Sequence, residues 1–295
     1  MEARLVITNA AAGSAEQSAV DAALAVLRED GPLDVLASGG ADDLDEALAS
    51  RGGGASTSVV VAAGGDGSLH ALVDALHRRG ELSTTTVGLI PLGTGNDFAR
   101  GVGVSLDPVE AAHQLVAARP HQLDLLVDAG GGVVVNAVHV GLGAEAGRQA
   151  SVWKHRLGKA GYLVGAVKAG LTTPGLNLAV TVDGATLPYS SAVVQMAVSN
   201  GPYVGGGTAL APGAEPDDGA ADVVVSYADA PLARLGYALR LRRGEHPRRD
   251  DVVTTRGRRI DIRGDEFWTN TDGELAGPRH QQSWELVPNA WSFLR

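Results

Sequence analysis

The stretch Val59-Val60-Val61-Ala62-Ala63-Gly64-Gly65-Asp66-Gly67-Ser68 decides the fold of this chain. An apolar strand passes through a glycine-rich turn into a helix, whose apolar positions recur at helical spacing from Leu69 to Leu76. Glycine lets backbone N–H groups approach a polyphosphate closely, and a helix N-terminus favours anions. The simpler reading is a tight turn in which Asp66 or Ser68 caps the helix. An acid beside phosphates is explained if Asp66 acts through Mg²⁺ or faces an attacking hydroxyl.

A second glycine-rich stretch, Pro91 to Arg100, also follows directly after an apolar strand. Parallel sheets bind ligands at the carboxyl ends of their strands, so loops after neighbouring strands line one crevice. In this loop Thr94 and Asn96 offer polar contacts, and Arg100 is expected to pair with Asp97. Together the two loops indicate a phosphate-binding crevice rather than two ordinary turns.

The order of strands and helices predicts two different halves. Short apolar strands alternate with helical segments as far as Pro120, a pattern typical of a parallel α/β sheet. Beyond Pro120, strands are separated by turns rich in glycine or proline, and one helix is expected around residues 158–171. We therefore expect an α/β plus β fold. It has an N-terminal Rossmann-like parallel α/β nucleotide-binding domain over residues 1–122 and an antiparallel β-sandwich or barrel-like domain over residues 123–280. The apolar segment 281–295 is a candidate to return to the first domain.

Composition and missing motifs exclude several classes of enzyme. The chain has 295 residues, 40 glycines and no cysteine, and its three lysines all lie at or beyond Lys154. A Walker A loop needs a lysine beside its glycines, so a P-loop enzyme is excluded. Without cysteine there are no disulfides, thiolate zinc sites or cysteine nucleophiles. The glycines at 141–147 lack the dinucleotide-binding spacing, and neither a Gly-x-Ser-x-Gly elbow nor zinc-ligand spacing of histidines occurs. Dehydrogenase, hydrolase and zinc-enzyme readings are therefore rejected.

The charge distribution bears on partners. The net charge of −10 argues against nucleic acid as a partner, yet ten arginines and four acids between Arg234 and Arg263 give that stretch a charge of +6. It either faces an anionic surface such as a membrane leaflet or carries solvated arginines on turns and strand edges. The charge-free segment 184–214 is long enough to span a bilayer, but its prolines and glycines predict buried strands and loops. No signal peptide is visible at Met1–Arg4, so a soluble or peripheral protein is expected.

Two acid-containing stretches lie late in the chain. Asn200–Gly207 leads into Glu215–Gly219, and Thr271-Asp272-Gly273-Glu274 forms a short acidic turn. Taken alone, these stretches are typical of surface loops and β-turns.

Taken in order, the motifs resemble the bacterial diacylglycerol kinase catalytic-domain family of soluble lipid kinases, which is related to sphingosine kinases and more distantly to NAD kinases. The resemblance spans nearly the whole chain. It implies that ATP lies between an NAD-kinase-like α/β domain and a β-rich lipid-binding domain. The matching stretches are Asn9–Gly13, Gly64–Ser68, Pro91–Arg100, Asn136–Gly143, Gly158–Leu163, Asn200–Gly207, Ala211–Gly219 and Asp272–Glu274.

The resemblance also implies roles for individual residues. The Mg²⁺ site maps to Asp218, with Glu215 and Ala220 contributing through backbone oxygens. The catalytic carboxylates map to the turn with Asp272 and Glu274, where a buried Glu274 with a raised pKa acts as general base. Asp66 is the rival base. The nucleotide contacts map to Asn9, Gly13, Ser38, Gly64, Gly65, Asp66, Gly67, Ser68, Leu69, His70, Gly93, Thr94, Gly95 and Asn96.

The chain departs from the family pattern in ways that keep its chemistry. Ala10 stands where the family usually has proline, and Ser38 and Ser68 replace threonines while keeping the hydroxyl. None of these changes removes a catalytic group.

The function that follows is an ATP- and Mg²⁺-dependent lipid kinase, with diacylglycerol as the first candidate substrate and phosphatidic acid as product. The alternatives are a kinase of a soluble hydroxylated metabolite or of a sphingoid or phosphatidylglycerol-like lipid, and a nucleotide-binding regulator without turnover. The expected location is the cytoplasm, with peripheral contact to the inner face of the membrane at the lipid substrate. A homodimer is left open.

Overall fold

The computed structural model describes residues 4–9, 14–50, 59–142, 144, 174–188 and 191–295. The helix expected around residues 158–171 lies outside these described residues. The first half alternates strands and helices in the order β1 (Arg4–Asn9), α1 (Ser14–Asp30), β2 (Leu33–Ser38), α2 (Ala41–Ser50), β3 (Val59–Gly64), α3 (Asp66–Arg78), β4 (Thr86–Pro91), α4 (Asp97–Val102) and α5 (Pro108–Ala117).

The strands of the first half form a parallel sheet in the order β2-β1-β3-β4. Because successive side chains in a strand point to opposite faces, each strand serves two cores. Leu5 and Val60 pack with helices α2 and α3. Val6 and Val61 pack with α1 and α5. The sheet is therefore covered by helices on both faces, as its continuous apolar strands require.

The second half is built from antiparallel strands. Its elements are β5 (Pro120–Asp128), β6 (Val133–Val134), β7 (Ala137–Gly141), β8 (Leu178–Val182), β9 (Ala185–Thr186), β10 (Gln195–Ser199), β11 (Tyr203–Val204), β12 (Thr208–Ala209), β13 (Ala221–Ser226), α6 (Pro231–Leu241), a 3₁₀ turn (His246–Arg248), β14 (Val252–Gly257), β15 (Arg259–Thr271) and β16 (Glu274–Leu294). Strand pairing runs β14-β13-β10-β7-β15-β16.

Strand β16 joins the two halves into one sheet. It pairs antiparallel with β15 and β5, and its residues Ser292 and Phe293 pair parallel with β4 of the first half. Near this junction Phe98, Trp291 and Phe293 pack ring against ring, with centroids 5.2–5.8 Å apart. The end of the chain is thereby held by a buried aromatic cluster. The domain boundaries at 122 and 280 stay a prediction.

The predicted fold class is confirmed: a parallel α/β half is followed by an antiparallel β half. Two helices were not predicted. Helix α4 has six residues and is too short to show a helical period. Helix α6 lies within the arginine-rich stretch, for which one of the two alternatives was arginines on turns and strand edges. The sequence predicts a strand over Arg259–Ile262, and in the structure this strand, β15, continues to Thr271.

No described helix has the length and apolar character needed to cross a membrane.

Candidate active site

The two glycine-rich loops lie side by side at one edge of the parallel sheet, as predicted. Gly64 and Pro91 are partners in the β3–β4 register, and the Leu92 N–H donates to the Gly64 carbonyl at 3.0 Å. The backbones of the two loops are in contact at Gly65 and Gly93, since a Cβ added to Gly93 would lie 2.6 Å from Gly65 Cα. Side chains at this crossing are excluded, so the glycines serve loop packing as well as ligand access.

The N-terminus of α3 has the features of an anion site. Gly65 precedes the helix and supplies no side-chain cap. The N–H groups of Ser68 and Leu69 donate to the Gly65 carbonyl at 3.0 and 3.1 Å. Within the described part of the chain, no acceptor faces the N–H groups of Asp66 and Gly67, and the space beside Gly67 is open. Uncapped N–H groups at the start of a helix bind phosphate oxygens.

Asp66 connects the first loop to the second. Its two carboxylate oxygens accept the N–H groups of Asp97 and Phe98, each at 3.0 Å, and thereby cap the N-terminus of α4. Burial raises the pKa of Asp66 above its usual value, although these two hydrogen bonds oppose the shift. The local sequence around Asp66 indicates a cap only for its own helix, α3.

The second loop is braced from within. Asn96 adopts a left-handed conformation with φ of 49°, and its amide both accepts from the Gly93 N–H at 3.0 Å and donates to the Gly93 carbonyl at 2.7 Å. The Asn96 side chain is therefore engaged within its own loop, whereas Thr94 is exposed. The expected pairing of Arg100 with Asp97 is wrong, because Arg100 Nε donates to the Gly95 carbonyl at 3.3 Å.

Asp97 instead reaches across to the second half. Its buried carboxylate accepts the N–H of Gly206 at 2.9 Å and the N–H of Gly207 at 2.6 Å. Those glycines have φ values of 87° and 103°, a backbone that an L side chain rarely adopts. Asp97 thus holds the Gly205–Gly207 turn against the phosphate loops. The only sequence feature that pointed to a functional role for Asp97 was its position next to Asn96 in a glycine-rich loop.

Asp272 forms a second bridge between the halves. One carboxylate oxygen accepts from the Val135 N–H at 2.7 Å and lies 2.9 Å from His70 Nδ1. The other accepts from the N–H groups of Asn136 and Ala137 at 3.0 and 2.9 Å. The side chain is only 2% exposed. Asp272 therefore fixes the β15–β16 turn onto the β6–β7 connection and onto helix α3.

His70 is the basic side chain that contacts Asp272 in this crevice. Burial lowers its pKa, but the hydrogen bond and charge of Asp272 and the charges of Glu274 and Asp74 outweigh burial, so the pKa of His70 is raised above its usual value. A histidine whose pKa is raised thus lies one turn into α3, beside a helix N-terminus, in a part of the chain that has no lysine.

Glu274 lies beyond the turn at Gly273 and is exposed. The expectation that Glu274 is buried is wrong, because Asp272 is the residue of this hairpin turn whose side chain is buried. Its charge nevertheless acts on His70, which places the Glu274 carboxylate near the start of α3.

The predicted metal residues lie on one turn, but their contacts are those of an ion pair. The Asp218 carboxylate pairs with Arg256 and accepts the Ala220 N–H at 3.2 Å, while Glu215 is exposed. Among the residues that the structure describes, no group of three His, Cys, Asp or Glu side chains is arranged to hold a metal ion. In this structure Arg256 supplies the counter-charge to Asp218, and the assignment of Glu215, Asp218 and Ala220 to a metal stays a prediction.

Two further polar residues of the second half were not predicted from the sequence. Buried Asp124 accepts the N–H groups of Gly219 and Asn289 at 2.7 and 2.8 Å and so fixes the acidic turn to β5. His139 lies on β7, and its Nδ1 is enclosed without a hydrogen-bond partner among the described residues. Burial lowers the pKa of His139 to about 4, against the charges of Asp272 and Asp97.

The remaining predicted nucleotide residues are distributed along the same sheet edge. Asn9 and Ser38 are register partners at the ends of β1 and β2. Ser38 Oγ donates to the Gly40 carbonyl at 2.9 Å. The Leu69 side chain is fully buried, so only its backbone is available to a ligand. Gly13 lies outside the described residues.

Comparisons with known proteins agree with this arrangement. A family model of the diacylglycerol kinase catalytic domain matches residues 3–127, and one of the YegS C-terminal NAD kinase beta sandwich-like domain matches residues 136–295. The chain is 36% identical over 174 residues to the "Probable lipid kinase YegS-like" of Stenotrophomonas maltophilia (strain K279a), covering 57% of this chain and 55% of that protein. The protein of the same description from Pseudomonas fluorescens (strain Pf0-1) is 33% identical over 180 residues, covering 60% and 56%. The chain thus spans little more than half the length of these relatives.

A solved structure supports the fold independently of these sequence matches. A diacylglycerol kinase from Bacillus anthracis str. Sterne superimposes with a TM-score of 0.77 at 24% identity. The superposition covers 99% of this chain and 96% of that one.

Proposed function

The chain belongs to the diacylglycerol kinase catalytic-domain family, and from that premise we propose that it is a lipid kinase. It transfers the γ-phosphate of ATP to a lipid hydroxyl, with diacylglycerol as the first candidate acceptor and phosphatidic acid as the product. The observation that carries the proposal is the uncapped N-terminus of α3 beside the crossing of the two glycine-rich loops. Phosphoryl transfer depends mainly on positioning and on neutralising phosphate charge, which such a site provides.

In this proposal the polyphosphate binds along the carboxyl edge of the parallel sheet. The N–H groups of Asp66 and Gly67 donate to phosphate oxygens, and the helix dipole of α3 adds partial positive charge. The raised pKa of His70 favours the protonated form of its ring beside these N–H groups. These groups take the place of the lysine that a Walker A loop uses.

Magnesium enters the proposal as part of the substrate. ATP binds as its magnesium complex, and Mg²⁺ neutralises part of the phosphate charge when bound. The assignment of Glu215, Asp218 and Ala220 as a separate protein metal site stays a prediction, and no step of the proposed reaction depends on it.

We assign the general base to Glu274 rather than to Asp66. Both Asp66 oxygens are occupied by the N–H groups that begin α4, so Asp66 is better suited to holding the two loops together. Asp272 has its acceptor positions filled by three backbone N–H groups and His70, and it acts as a positioning residue. Glu274 is exposed beside this cluster and is free to receive the proton of an acceptor hydroxyl.

The test combines ATP binding with transfer of radiolabelled γ-phosphate to diacylglycerol in mixed micelles. Glu274→Gln is expected to keep ATP affinity while kcat falls by about 10²–10⁴-fold, the usual contribution of a general base. Asp66→Asn is expected to weaken ATP binding as well, because α4 and the second loop lose their anchor. Glu266→Gln changes an exposed glutamate of β15 away from the turn and is the matched control.

The outcomes separate the alternatives. Near-normal turnover by Glu274→Gln would reject Glu274 as the base. Transfer to a soluble alcohol or to a sphingoid lipid, with none to diacylglycerol, would redirect the substrate assignment. ATP binding with no transfer to any acceptor would favour a regulator without turnover. We further propose that the protein acts in the cytoplasm at the inner face of the membrane, where such a lipid is found.

A further inference from the structure

Helix α6 presents an apolar stripe to solvent. Leu232, Leu235 and Leu239 are 83%, 51% and 53% exposed, and their spacing places them on one face of the helix. The opposite face is buried, since Tyr237 packs in a core with Ala211, Ala214, Val224, Ala228 and Val252. The fold therefore fixes the outward direction of the stripe. Three neighbouring exposed leucines on one helix face mark a contact surface rather than ordinary surface variation.

Exposed arginines surround the end of this stripe. Arg240, Arg242, Arg243 and Arg248 are exposed, and no carboxylate of the described residues forms an ion pair with them. Arg240, Arg248 and Arg249 line a cleft of about 430 Å³ together with Asp250 and Asp251. Arg249 is bound to Asp251 through two hydrogen bonds of 2.6 and 2.5 Å, which leaves Arg240 and Arg248 available to an external anion.

We propose that helix α6 docks the protein on an anionic phospholipid surface. The three leucines enter the boundary between headgroups and acyl chains, and the arginines at the end of the helix contact lipid phosphates. An apolar stripe bordered by basic residues is the arrangement of helices that lie in the plane of a membrane interface. The inference deepens the proposed function, because it names the surface by which the enzyme would meet its lipid.

Charge favours a membrane over a second copy of the chain as the occupant. In a two-fold dimer through α6 the same patch would lie on both sides, so the arginines of one copy would face those of the other. Apart from Asp251, which pairs with Arg249, only Glu245 and Asp250 lie between Arg240 and Asp251, so the four exposed arginines stay in excess. Anionic headgroups supply the complementary charge directly.

The test measures binding of the full chain to vesicles in the absence of ATP, with phosphatidylcholine alone and with phosphatidylcholine mixed with phosphatidylglycerol. Arg242→Gln/Arg243→Gln is expected to weaken binding to the mixed vesicles by about fivefold for each arginine. Leu232→Ser/Leu239→Ser is expected to weaken it by about tenfold for each leucine. Added salt should weaken binding by the unchanged chain more than binding by the arginine variant, which keeps Arg240 and Arg248.

Matched controls lie on the first half of the chain. Leu36→Ser/Leu106→Ser removes two leucines that are 36% and 37% exposed, and Arg28→Gln/Arg119→Gln removes two exposed arginines. Both variants are expected to bind like the unchanged chain. Because the chain has no cysteine, Leu235→Cys also gives a single site for an environment-sensitive dye. Its emission should shift to the blue on mixed vesicles, and the dye on Leu36→Cys should not respond.

Three results would overturn the inference. They are failure of the unchanged chain to bind mixed vesicles, equal weakening by the α6 variants and their controls, and a dimer that the α6 leucine variant converts to monomers. Kinase activity on diacylglycerol dissolved in detergent micelles is measured in parallel. If the unchanged chain transfers phosphate in micelles but does not bind vesicles, the docking surface alone is rejected, whereas vesicle binding by the unchanged chain without transfer rejects the kinase alone.

Discussion

The carboxylate of Asp272 offers the sharpest test of how the two halves of the chain are held together. Its four hydrogen bonds connect a hairpin turn with the β6–β7 connection and with helix α3. Asp272→Asn is the informative change, because asparagine keeps the size of the side chain and tolerates the left-handed backbone at this position, where φ is 48°. The substitution therefore alters hydrogen bonding and charge with little change of shape.

The loss of stability in Asp272→Asn depends on which of the four hydrogen bonds the amide can still make. Placed with its NH₂ group toward His70, asparagine can donate to the neutral imidazole, but the Val135 N–H loses its acceptor, which costs about 1–3 kcal/mol. The bonds from Asn136 and Ala137 then end on a neutral oxygen rather than on a charged one, at about 1 kcal/mol each. The free energy of unfolding is thus expected to fall by about 3–5 kcal/mol in total.

Urea denaturation of the full chain measures this change, and Asp183→Asn is the matched control. Asp183 also precedes a glycine in a hairpin turn with φ of 48°, and it accepts the N–H groups of Arg258 and Arg259, but it is exposed. Its substitution is expected to cost less than about 1 kcal/mol, since water replaces the lost bonds. Equal, small losses in the two variants would refute the argument that burial makes the Asp272 network strong.

Two further predictions concern the crevice. Gly93→Ala is expected to lower the free energy of unfolding by about 1–3 kcal/mol and to lower ATP affinity, because its Cβ would lie 2.6 Å from Gly65 Cα. Gly67→Ala should lower ATP affinity but keep stability, since the space around Gly67 is open. Equal losses of stability in urea would contradict the packing argument. His139 has a folded-state pKa of about 4, below the unfolded value of 6.5, so the unfolded chain binds more protons between these values and stability should decrease as pH falls through that window. His139→Gln should flatten this decrease in unfolding measurements from pH 7 to 4, and an unchanged slope would show that other groups cause it.

Much of the fold was predictable because it depends on local patterns. The apolar runs at Val59–Ala63 and Leu89–Ile90, each followed by glycines, were enough to predict two buried strands that end in phosphate-binding loops. Helices α4 and α6 were missed for local reasons as well. The first is shorter than two helical turns, and the second carries its leucines on the solvent side, so its pattern does not point to a core.

The sequence by itself determined the chemistry of the crevice: glycines that admit phosphate, a helix start that attracts it, and no lysine to bind it. Only the tertiary structure decided which carboxylates hold that crevice in shape. Asp66 meets the start of α4 from 31 residues away, Asp97 meets Gly206 from 109, and Asp272 meets His70 from 202. A buried carboxylate takes whichever N–H donors packing brings to it, and no local spacing records that choice. The same packing turned Asp272 inward and left Glu274 in the open.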